Sequence, residues 1–309
     1  MRQTMELSIL WQRQSNPLDV KVQMSLIRIR EWYEYWDGQV AVSFSGGKDS
    51  AVLLDLVRSI YPDVPAVFIN TGLEYPENVR LCKQTDNCQF ISPKMRYKQV
   101  IEKYGYPCVS KQNALYIYQI RNTNSDYLRE VRLHGKVGRN GKRYGNLSDK
   151  WKFMLDAPFK ISPFCCDVMK KRPAKKYTKE TGRKYYIGNK ASDSRNRLRV
   201  YLEGGCNSFD FKVPLSTPLG FWTDEDIWEY IKSRGIKYSS IYDMGYENTG
   251  CIFCLFGLHM ESGLNRFQRL YETHPRLWKH CMEKLDLRTV MDFMDIEYRP
   301  SRQLELSFH

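Results

Sequence analysis

The sequence predicts an α/β protein, a Rossmann-like α/β/α sandwich with a mostly parallel sheet and a helical C-terminal region. Two observations support this fold class. Short apolar runs alternate with helical patterns in the first half of the chain, as they do in parallel sheets that helices cover on both faces. In addition, a glycine-rich hexapeptide at residues 45–50 separates the first apolar run from a helical pattern.

Each element follows from its local pattern. Apolar residues at helical spacing, among them Val22, Leu26, Ile29 and Trp36, predict helix within residues 1–37. Thr223, with Asp226 three positions later, forms a capping box that starts a helix in residues 222–231. The other elements predicted in order are a strand at 39–44, a helix at 49–57, a strand at 66–70, a helix at 76–84 and a strand at 184–188.

Composition limits the class of protein. The chain has 309 residues, of which 42% are hydrophobic and 27% charged, as in a globular protein with a substantial core. No run approaches 18 apolar residues, and residues 1–6 lack the features of a secretory signal. We therefore expect a cytoplasmic protein without a membrane span.

Residues 121–164 interrupt the alternation of strands and helices. They are polar, basic and aromatic, and we interpret them as an insertion or a partly mobile excursion that serves function. The predicted organisation is an N-terminal helical segment at 1–37, a nucleotide-binding α/β domain at 38–250 that contains this insertion, and a helical C-terminal region at 251–309 that completes a cysteine site.

The formal net charge is +13, and lysine and arginine concentrate between Arg121 and Arg199. Such a surface suits phosphate-rich partners, either a nucleotide or a nucleic acid, although a solvated basic surface has the same composition. Tyrosines in or beside the basic segment are candidates for base stacking: Tyr116, Tyr118, Tyr127 and Tyr144.

The hexapeptide is suited to phosphate binding. Its glycines allow close approach of the backbone, and amides at a helix start point toward an anion. Lys48 adds a cation, and Asp49 either caps the helix or helps to place Mg²⁺. The predicted nucleotide-binding residues here are Ser43, Ser45, Gly46, Gly47, Lys48, Asp49 and Ser50.

The loop Ser-Gly-Gly-Lys-Asp-Ser resembles the signature of the PP-loop ATP pyrophosphatases, in the adenine nucleotide alpha-hydrolase superfamily. It lacks the spacing of a Walker loop. Within that superfamily the chain is similar to the phosphoadenosine phosphosulfate (PAPS) reductase family over about residues 25–260. The supporting segments are 68–77, 188–195 and 218–228.

The resemblance implies further site residues. Asn70, Thr71 and Gly72, after the second strand, should border the adenine or the ribose, in agreement with ligand binding at the carboxyl ends of parallel strands. Gly188 should lie across from them, with Arg195, and Arg197 as a further candidate, near phosphate or substrate. The catalytic candidates are Lys48, Asp49 and Arg195.

Nine cysteines in a cytoplasmic chain favour metal or redox chemistry over disulfides. Cys165 and Cys166 form one pair, and Cys251 and Cys254 form another; four thiolates suit zinc or an iron–sulfur cluster. Four incidental thiols are the alternative. The resemblance to iron–sulfur sulfonucleotide reductases implies a 4Fe-4S cluster. The remaining cysteines are expected to be small buried side chains: Cys82, Cys88, Cys108, Cys206 and Cys281.

The predicted function departs from simple PAPS reduction. Reductases of this type are expected to carry a nucleophilic cysteine in a C-terminal tail, and residues 299–309 contain none. The intact loop instead indicates an enzyme that splits ATP into AMP and pyrophosphate with Mg²⁺. It would adenylate an acceptor, such as tRNA or DNA held by the basic insertion, for sulfur transfer with a sulfur donor or a thioredoxin-like reductant.

Two alternatives stay open at this point. One is a PAPS or adenosine phosphosulfate reductase that uses another thiol, such as Cys206 or Cys108. The other is a non-catalytic protein that binds nucleotide or nucleic acid.

Overall fold

A computed structural model describes residues 5–300 of the protein. The helices, in chain order, are α1 (Leu7–Gln14), α2 (Leu18–Tyr35), α3 (Lys48–Ile60), α4 (Pro76–Lys83), α5 (Tyr97–Tyr104), α6 (Lys111–Asn122), α7 (Asp126–His134), α8 (Arg172–Thr181), α9 (Arg195–Gly204), α10 (Asp224–Arg234), α11 (Arg266–Thr273), α12 (Pro275–Glu283) and α13 (Leu287–Phe293). Within the described residues, every helix is too short or too polar to cross a lipid bilayer.

The strands are short. They are β1 (Val40–Ser43), β2 (Ala66–Ile69), β3 (Cys88–Ile91), β4 (Cys108–Val109), β5 (Lys136–Val137), β6 (Arg143–Tyr144), β7 (Lys184–Ile187), β8 (Asn207–Ser208), β9 (Leu215–Ser216) and β10 (Leu255–Phe256). Single turns of 3₁₀ helix lie at Ala191–Asp193, Tyr242–Met244 and Leu258–Met260, a longer one at Asp149–Asp156, and a π-helix at Asp167–Lys171.

The chain packs into two compact units that interleave in sequence. The first contains residues up to Asn70, Glu74–Pro93 and Arg172–Thr249. The second contains Thr71–Leu73, Lys94–Lys171 and the residues from Gly250 onward. The domain boundaries expected from the sequence, at residues 37/38 and 250/251, stay predictions.

The first unit is built on a six-stranded sheet in the order β3-β2-β1-β7-β9-β8. The first five strands are parallel and β8 is antiparallel to β9. The strands predicted near residues 39–44, 66–70 and 184–188 are confirmed as β1, β2 and β7. The chain runs outward from β1 to β3 and then returns to the other side of β1 with β7. The carboxyl end of β1 therefore lies at a switch in strand order, where open α/β sheets bind ligands.

Helices cover both faces of this sheet. Alternate residues of β1 point to opposite sides: Val40 and Val42 join a large core with residues of α2, α3 and α10, whereas Ala41 packs with Val67 and Tyr177 of α8. The predicted α/β/α layering is therefore confirmed. The helical segment expected at the N-terminus consists of α1 and α2, separated near Pro17; residues 1–4 lie outside the described part.

A buried ion pair joins α2 to the start of α10. The Lys21 ammonium lies 2.7 Å from both carboxylate oxygens of Asp226. Asp226 also accepts a hydrogen bond from the Thr223 amide at 2.7 Å, and Thr223 caps the Asp226 amide in return. The capping box predicted from the sequence is confirmed, and its carboxylate has a second partner 205 residues away.

The second unit is mainly helical and contains two small sheets. Strands β4 and β10 pair in parallel, and β5 and β6 form an antiparallel hairpin. The basic region at 121–164, expected as an insertion or excursion, contains α7, this hairpin and the 3₁₀ helix Asp149–Asp156. Helices α11–α13 lie in the C-terminal part, and residues 301–309, with most of the predicted tail, lie outside the described residues.

Arg121 belongs to the framework of this unit rather than to its basic surface. Its guanidinium donates hydrogen bonds to the carbonyls of Met154, Leu155, Ala157 and Phe159, at 2.7 to 3.1 Å. The end of a 3₁₀ helix leaves carbonyls without backbone partners, and one arginine fork satisfies this set.

Replacing Lys21 by methionine should destabilise the protein by about 3–5 kcal/mol, because Asp226 would be left as a buried, unpaired charge. The free energy of unfolding from urea titration measures the effect. Arg28→Met is a matched control: Arg28 pairs with Glu31 at 2.7 Å, but both side chains are about 40% exposed, and a loss below about 1 kcal/mol is expected. Equal losses in the two variants would contradict this assignment.

Candidate functional site

The predicted phosphate loop lies between the carboxyl end of β1 and the start of α3, within the first unit. Gly47 is the N-cap residue of α3 and has extended backbone angles, whereas Gly46 has a φ of 73°. Side chains brace the turn from inside: the Ser50 hydroxyl donates to the Gly47 carbonyl at 2.8 Å, and the Gly47 amide donates to the Ser45 hydroxyl at 3.3 Å.

Three glycines lie here at positions where the backbone packs closely against its neighbours. A Cβ on Gly46 would lie 2.7 Å from the Asn78 carbonyl oxygen, and one on Gly47 would lie 2.8 Å from the Thr249 hydroxyl. Gly188, at the end of β7, would place a Cβ 3.0 Å from the Asp49 carbonyl oxygen. The absence of side chains at these positions lets the loop, α4 and the end of β7 approach each other.

Hydroxyl oxygens take hydrogen bonds from the loop amides. The Lys48 amide donates to the Tyr242 hydroxyl at 2.9 Å, and Tyr242 and Thr249 place their hydroxyls 3.4 Å apart. These oxygens occupy acceptor positions at the start of a helix, where a phosphate oxygen would also accept. No local pattern in the sequence identified Tyr242, which lies 194 residues from Lys48.

Lys48 is buried rather than exposed. Only 3% of the residue is accessible, and its ammonium lies 2.9 Å from Asp224 and 3.7 Å from Asp49. The ammonium also donates to the carbonyl of Glu247 at 3.4 Å. Burying a lysine requires such partners, since an unpaired ammonium in a protein interior is strongly disfavoured.

A second buried lysine, Lys190, completes an ion cluster. It is 2% exposed, forms an ion pair with Asp49, and lies 3.1 Å from Asp193 and 3.5 Å from Asp224. Burial by itself lowers the pKa of the Lys190 ammonium, but the carboxylates, Asp49 first, raise it above its ordinary value. Burial likewise raises the pKa of Asp224, but the two lysines outweigh this and lower it. Both groups are therefore charged at neutral pH.

The structure corrects one expectation for Asp49. Helix α3 has Gly47 at its N-cap and no side-chain capping bond, so Asp49 does not cap the helix. Its carboxylate faces the two lysines instead. Lys190, Asp193 and Asp224 lie in segments that the sequence associated with the site, but no residue pattern distinguished them from solvated charges.

The remaining predicted site residues lie outside the buried ion cluster of Lys48 and Lys190, apart from Arg197, which contacts it. Ser43 ends β1, and Arg195 is exposed in the first turn of α9, with Arg197 paired to Asp193. Asn70 closes a segment of the first unit, but Thr71 and Gly72 belong to the second unit. The expectation that residues 70–72 and Arg195 border one ligand stays a prediction.

Asn78 presents an unsatisfied acceptor beside the loop. This residue of α4 is 2% exposed, and its Oδ1 has no hydrogen-bond partner among residues 5–300. Its backbone carbonyl is the atom that excludes a side chain at Gly46. Because buried polar atoms are rarely left unpaired, Oδ1 is a candidate acceptor for a hydrogen bond from a donor group on a ligand. The sequence could not have identified this acceptor, because a missing hydrogen-bond partner is a property of the tertiary structure.

The paired cysteines come together within the second unit. Burial raises the pKa of the Cys165 thiol, and its proximity to Cys166, Cys251 and Cys254 raises it further. Tyr97 lies within electrostatic reach of the same thiols. Burial raises the pKa of its hydroxyl, and Cys165, Cys254 and Cys251 raise it further. The four thiols are thus within electrostatic reach of each other, although 85 residues separate the pairs in sequence.

The four thiols are chemically suitable metal ligands, but within residues 5–300 their arrangement does not have the geometry of a metal site. Four thiolates are a suitable donor set for zinc or for an iron–sulfur cluster. In the described part of the chain, however, no group of three or more Cys, His, Asp or Glu residues has the geometry that holds a metal ion. Of the other cysteines, Cys82, Cys108, Cys206 and Cys281 are buried as expected, and Cys88 is half-buried.

The candidate stacking tyrosines fall into two groups. Tyr116 is buried beneath the Arg132 guanidinium, and Tyr118 packs edge-on against Phe164. Both are therefore framework residues. Tyr127 and Tyr144 are exposed over 66% and 57% of their surface, so the basic region presents two of the four rings to solvent.

Comparison with known proteins gives a family match. The family model described as "Phosphoadenosine phosphosulfate reductase domain" matches residues 39–116 and 119–255. An uncharacterized protein of Methanocaldococcus jannaschii is 24% identical over 84% of this chain and 52% of its own length, and a second is 25% identical over 81% and 42%. The chain thus spans about half the length of these relatives. An adenosine 5'-phosphosulfate reductase of Staphylococcus epidermidis is 25% identical over 77% of this chain and 80% of its own.

Two solved structures are also similar. The PAPS reductase of Candida auris has a TM-score of 0.43 and 16% identity, over 72% of this chain and 86% of that one. The U34-tRNA thiolase NcsA of Methanococcus maripaludis, solved with its 4Fe-4S cluster, has a TM-score of 0.38 and 15% identity, over 88% and 80%.

Gly46→Ala should destabilise the protein more than Gly182→Ala. Both glycines have positive φ, 73° and 74°, so both variants should lose about 1–2 kcal/mol from backbone strain. A Cβ at Gly182 meets no atom within 4 Å, whereas one at Gly46 meets the Asn78 carbonyl, which should add about 1–3 kcal/mol. Urea unfolding of both variants measures the difference, and equal losses would show that the loop yields freely.

Proposed function

This chain belongs to the phosphoadenosine phosphosulfate reductase domain family, and on that premise we propose that it binds ATP on the loop at residues 45–50 and adenylates an acceptor. Pyrophosphate would be released. One observation carries the proposal: two buried lysines, Lys48 and Lys190, lie beside the glycine turn that starts α3, and a backbone amide of that turn already donates a hydrogen bond to an oxygen atom.

In triphosphate binding, phosphate oxygens would accept the hydrogen bonds that loop amides donate to hydroxyl oxygens in this structure. The Tyr242 oxygen, 2.9 Å from the Lys48 amide, stands where an anionic phosphate oxygen could accept the same hydrogen bond. A phosphate oxygen gains more than a hydroxyl at this position, because the helix dipole favours negative charge. The other residues of the proposed phosphate site are Ser43, Ser45, Gly46, Gly47 and Ser50.

The ion cluster supports binding of the nucleotide with a divalent cation. Asp49, Asp193 and Asp224 balance the charges of Lys48, Lys190 and Arg197, so a bound triphosphate would bring unbalanced negative charge into this cluster. Mg²⁺ typically takes one or two carboxylates together with phosphate oxygens and needs no preformed protein cage. Asp49 and Asp224 fit that role, and the lysines freed from them would face the phosphates. When bound, the cation neutralises charge that develops on the departing pyrophosphate.

In the proposed reaction, an acceptor oxygen attacks the α-phosphorus of ATP and the bond from that phosphorus to the bridging oxygen breaks. Pyrophosphate leaves with the bonding electrons, and the acceptor releases its proton. Lys48 and Lys190 would stabilise charge on the leaving group. Arg195, exposed at the first turn of α9, would contact phosphate or acceptor, and Gly188 would keep β7 close to α3.

Recognition of the adenosine would use the end of β2. We propose that Asn70, Thr71, Gly72 and the buried Asn78 contribute, since Asn78 Oδ1 is an acceptor without a partner among the described residues and an adenine amine or a ribose hydroxyl is a donor.

Sulfur chemistry would involve the second unit. We propose that Cys165, Cys166, Cys251 and Cys254 hold a 4Fe-4S cluster, because four thiols within electrostatic reach match that donor set. Such a cluster supplies sites for binding or activating sulfur when it is present. A sulfur nucleophile at the sulfide level would then attack the acceptor atom that bears the adenylated oxygen, forming a bond to sulfur while the bond to that oxygen breaks and AMP leaves with the bonding electrons. As the acceptor we propose a nucleic acid, given the net charge of +13.

Reduction of a sulfonucleotide is the second candidate, favoured by the similarity to adenosine 5'-phosphosulfate reductases. It needs an accessible thiolate. Cys206 and Cys108 are buried, and burial raises the pKa of Cys206 to about 11 and that of Cys108 to about 12. These thiols are therefore poor nucleophiles at neutral pH, which supports adenylation over reduction by either of them.

Lys48→Met and Lys190→Met should each lower pyrophosphate release from ATP at least about 100-fold, because each removes a buried cation from the transition state. A coupled pyrophosphate assay with candidate acceptors measures this. Lys179→Met, on the exposed side of α8, should leave the rate unchanged. Sulfite release from adenosine phosphosulfate with thioredoxin, in the absence of pyrophosphate release from ATP, would instead establish the reductase.

Anaerobically purified protein should contain about four iron and four sulfide per chain and absorb broadly near 400 nm, as a cubane cluster requires. Cys251→Ser should lose most of the iron. Cys281→Ala, at a buried position of the same unit, should retain it. Stoichiometric zinc without sulfide would refute the cluster, and metal-free protein would refute any metal at these thiols.

A further inference from the structure

The hairpin of β5 and β6, together with the first turn of α7, forms a face that the adenylation chemistry does not use. Lys136 and Tyr144 are cross-strand partners, and the Lys136 ammonium lies 5.0 Å from the centroid of the Tyr127 ring. We name Tyr127, Lys136 and Tyr144 the tyrosine–lysine face. Both of its rings are more than half exposed.

The backbone beneath this face is held in place. The Arg132 guanidinium of α7 donates to the Gly145 carbonyl at 2.7 Å and to the Gln119 side chain of α6 at 2.6 Å. The Leu147 amide donates to the Arg132 carbonyl at 2.7 Å. Arg132 thus connects the end of the hairpin to α6 and α7, so the backbone that carries Tyr144 is held next to the helix that carries Tyr127.

The surrounding charge is positive. The hairpin segment 135–145 contains four basic residues and no acidic one: Lys136, Arg139, Lys142 and Arg143 are all exposed. The adjoining helix has two acids: Asp126 forms an ion pair with Arg129 at 2.8 Å, and Glu130 lies 3.6 Å from the His134 ring. The four cations of the hairpin outnumber these two acids, so the net charge of this region attracts an anionic partner.

We propose that the tyrosine–lysine face binds single-stranded nucleic acid. Exposed rings flanking a cation match a strand in which bases stack on aromatics and phosphates contact lysine and arginine. A duplex hides its base faces and would engage the cations alone, and an acidic protein would leave the two rings without a role. The inference deepens the proposed function by naming its acceptor as an unpaired strand and giving that strand a docking surface.

Fluorescence anisotropy tests this without ATP, using labelled 20-nucleotide single-stranded DNA, the same sequence as RNA, and its duplex. Both single strands should bind at least about ten-fold more tightly than the duplex, and Tyr127→Ala and Tyr144→Ala should each weaken single-strand binding roughly ten-fold. Tyr144→Phe should preserve binding, because it keeps the ring. Tyr35→Ala, at a 59% exposed position of the first unit, should have no effect.

Salt titration tests the cation. Lys136→Ala should reduce the slope of log affinity against log salt by about 0.7 to 1, whereas Lys98→Ala, at an exposed position of α5, should leave the slope unchanged. Equal affinity for duplex and single strand with silent tyrosine variants would overturn the proposal in favour of a general polyanion surface. Absence of binding at low salt would overturn it as well.

The outcome is separable from that of the adenylation proposal. Lys48→Met should bind single strands like the unmodified chain, because Lys48 lies in the first unit, far in sequence from the hairpin. If the unmodified chain binds single strands but releases no pyrophosphate from ATP, the adenylation chemistry alone is refuted. Normal pyrophosphate release with another acceptor and no strand binding would refute the face alone.

Discussion

The first unit depends on the burial of two ammonium groups beside a glycine turn. Lys48 and Lys190 have almost no exposed surface, and each requires carboxylates to remain charged. Those carboxylates come from the start of α3, the turn after β7 and the start of α10. The ion cluster therefore fixes three segments around the loop, and in the proposed function the same charges would contact a triphosphate and its cation.

Close backbone packing and hydrogen bonding prepare the loop before a ligand arrives. Gly46 and Gly188 allow α4 and β7 to approach within distances that a Cβ would prevent. Tyr242 and Ser45 accept hydrogen bonds from amides that a phosphate could use. In the proposed function, amides that already point at oxygen atoms would need little reorganisation when a phosphate binds, and such preorganisation favours adenylyl transfer.

The two units carry different chemistry. The first holds charged groups suited to phosphates, and the second holds the four thiols and the tyrosine–lysine face. Family membership is consistent with sulfur metabolism, and the proposed function assigns adenylation to the first unit and sulfur and strand binding to the second. The raised pKa of Cys206 and of Cys108 explains why neither is a convincing substitute for the tail nucleophile of a reductase.

The sequence by itself determined the layered α/β fold, the positions of β1, β2 and β7, the capping box of α10 and the glycine turn before α3, because hydrophobic periodicity and turn chemistry are local properties. Only the tertiary structure decided that Lys190 reaches Asp49 across 141 residues, that Asn78 is left without a partner among the described residues, and that Tyr127 and Tyr144 are exposed while Tyr116 is buried. Charges and rings look alike in a sequence whether they face solvent or each other. Their partners are set by which segments the fold brings into contact, and that depends on distant parts of the chain.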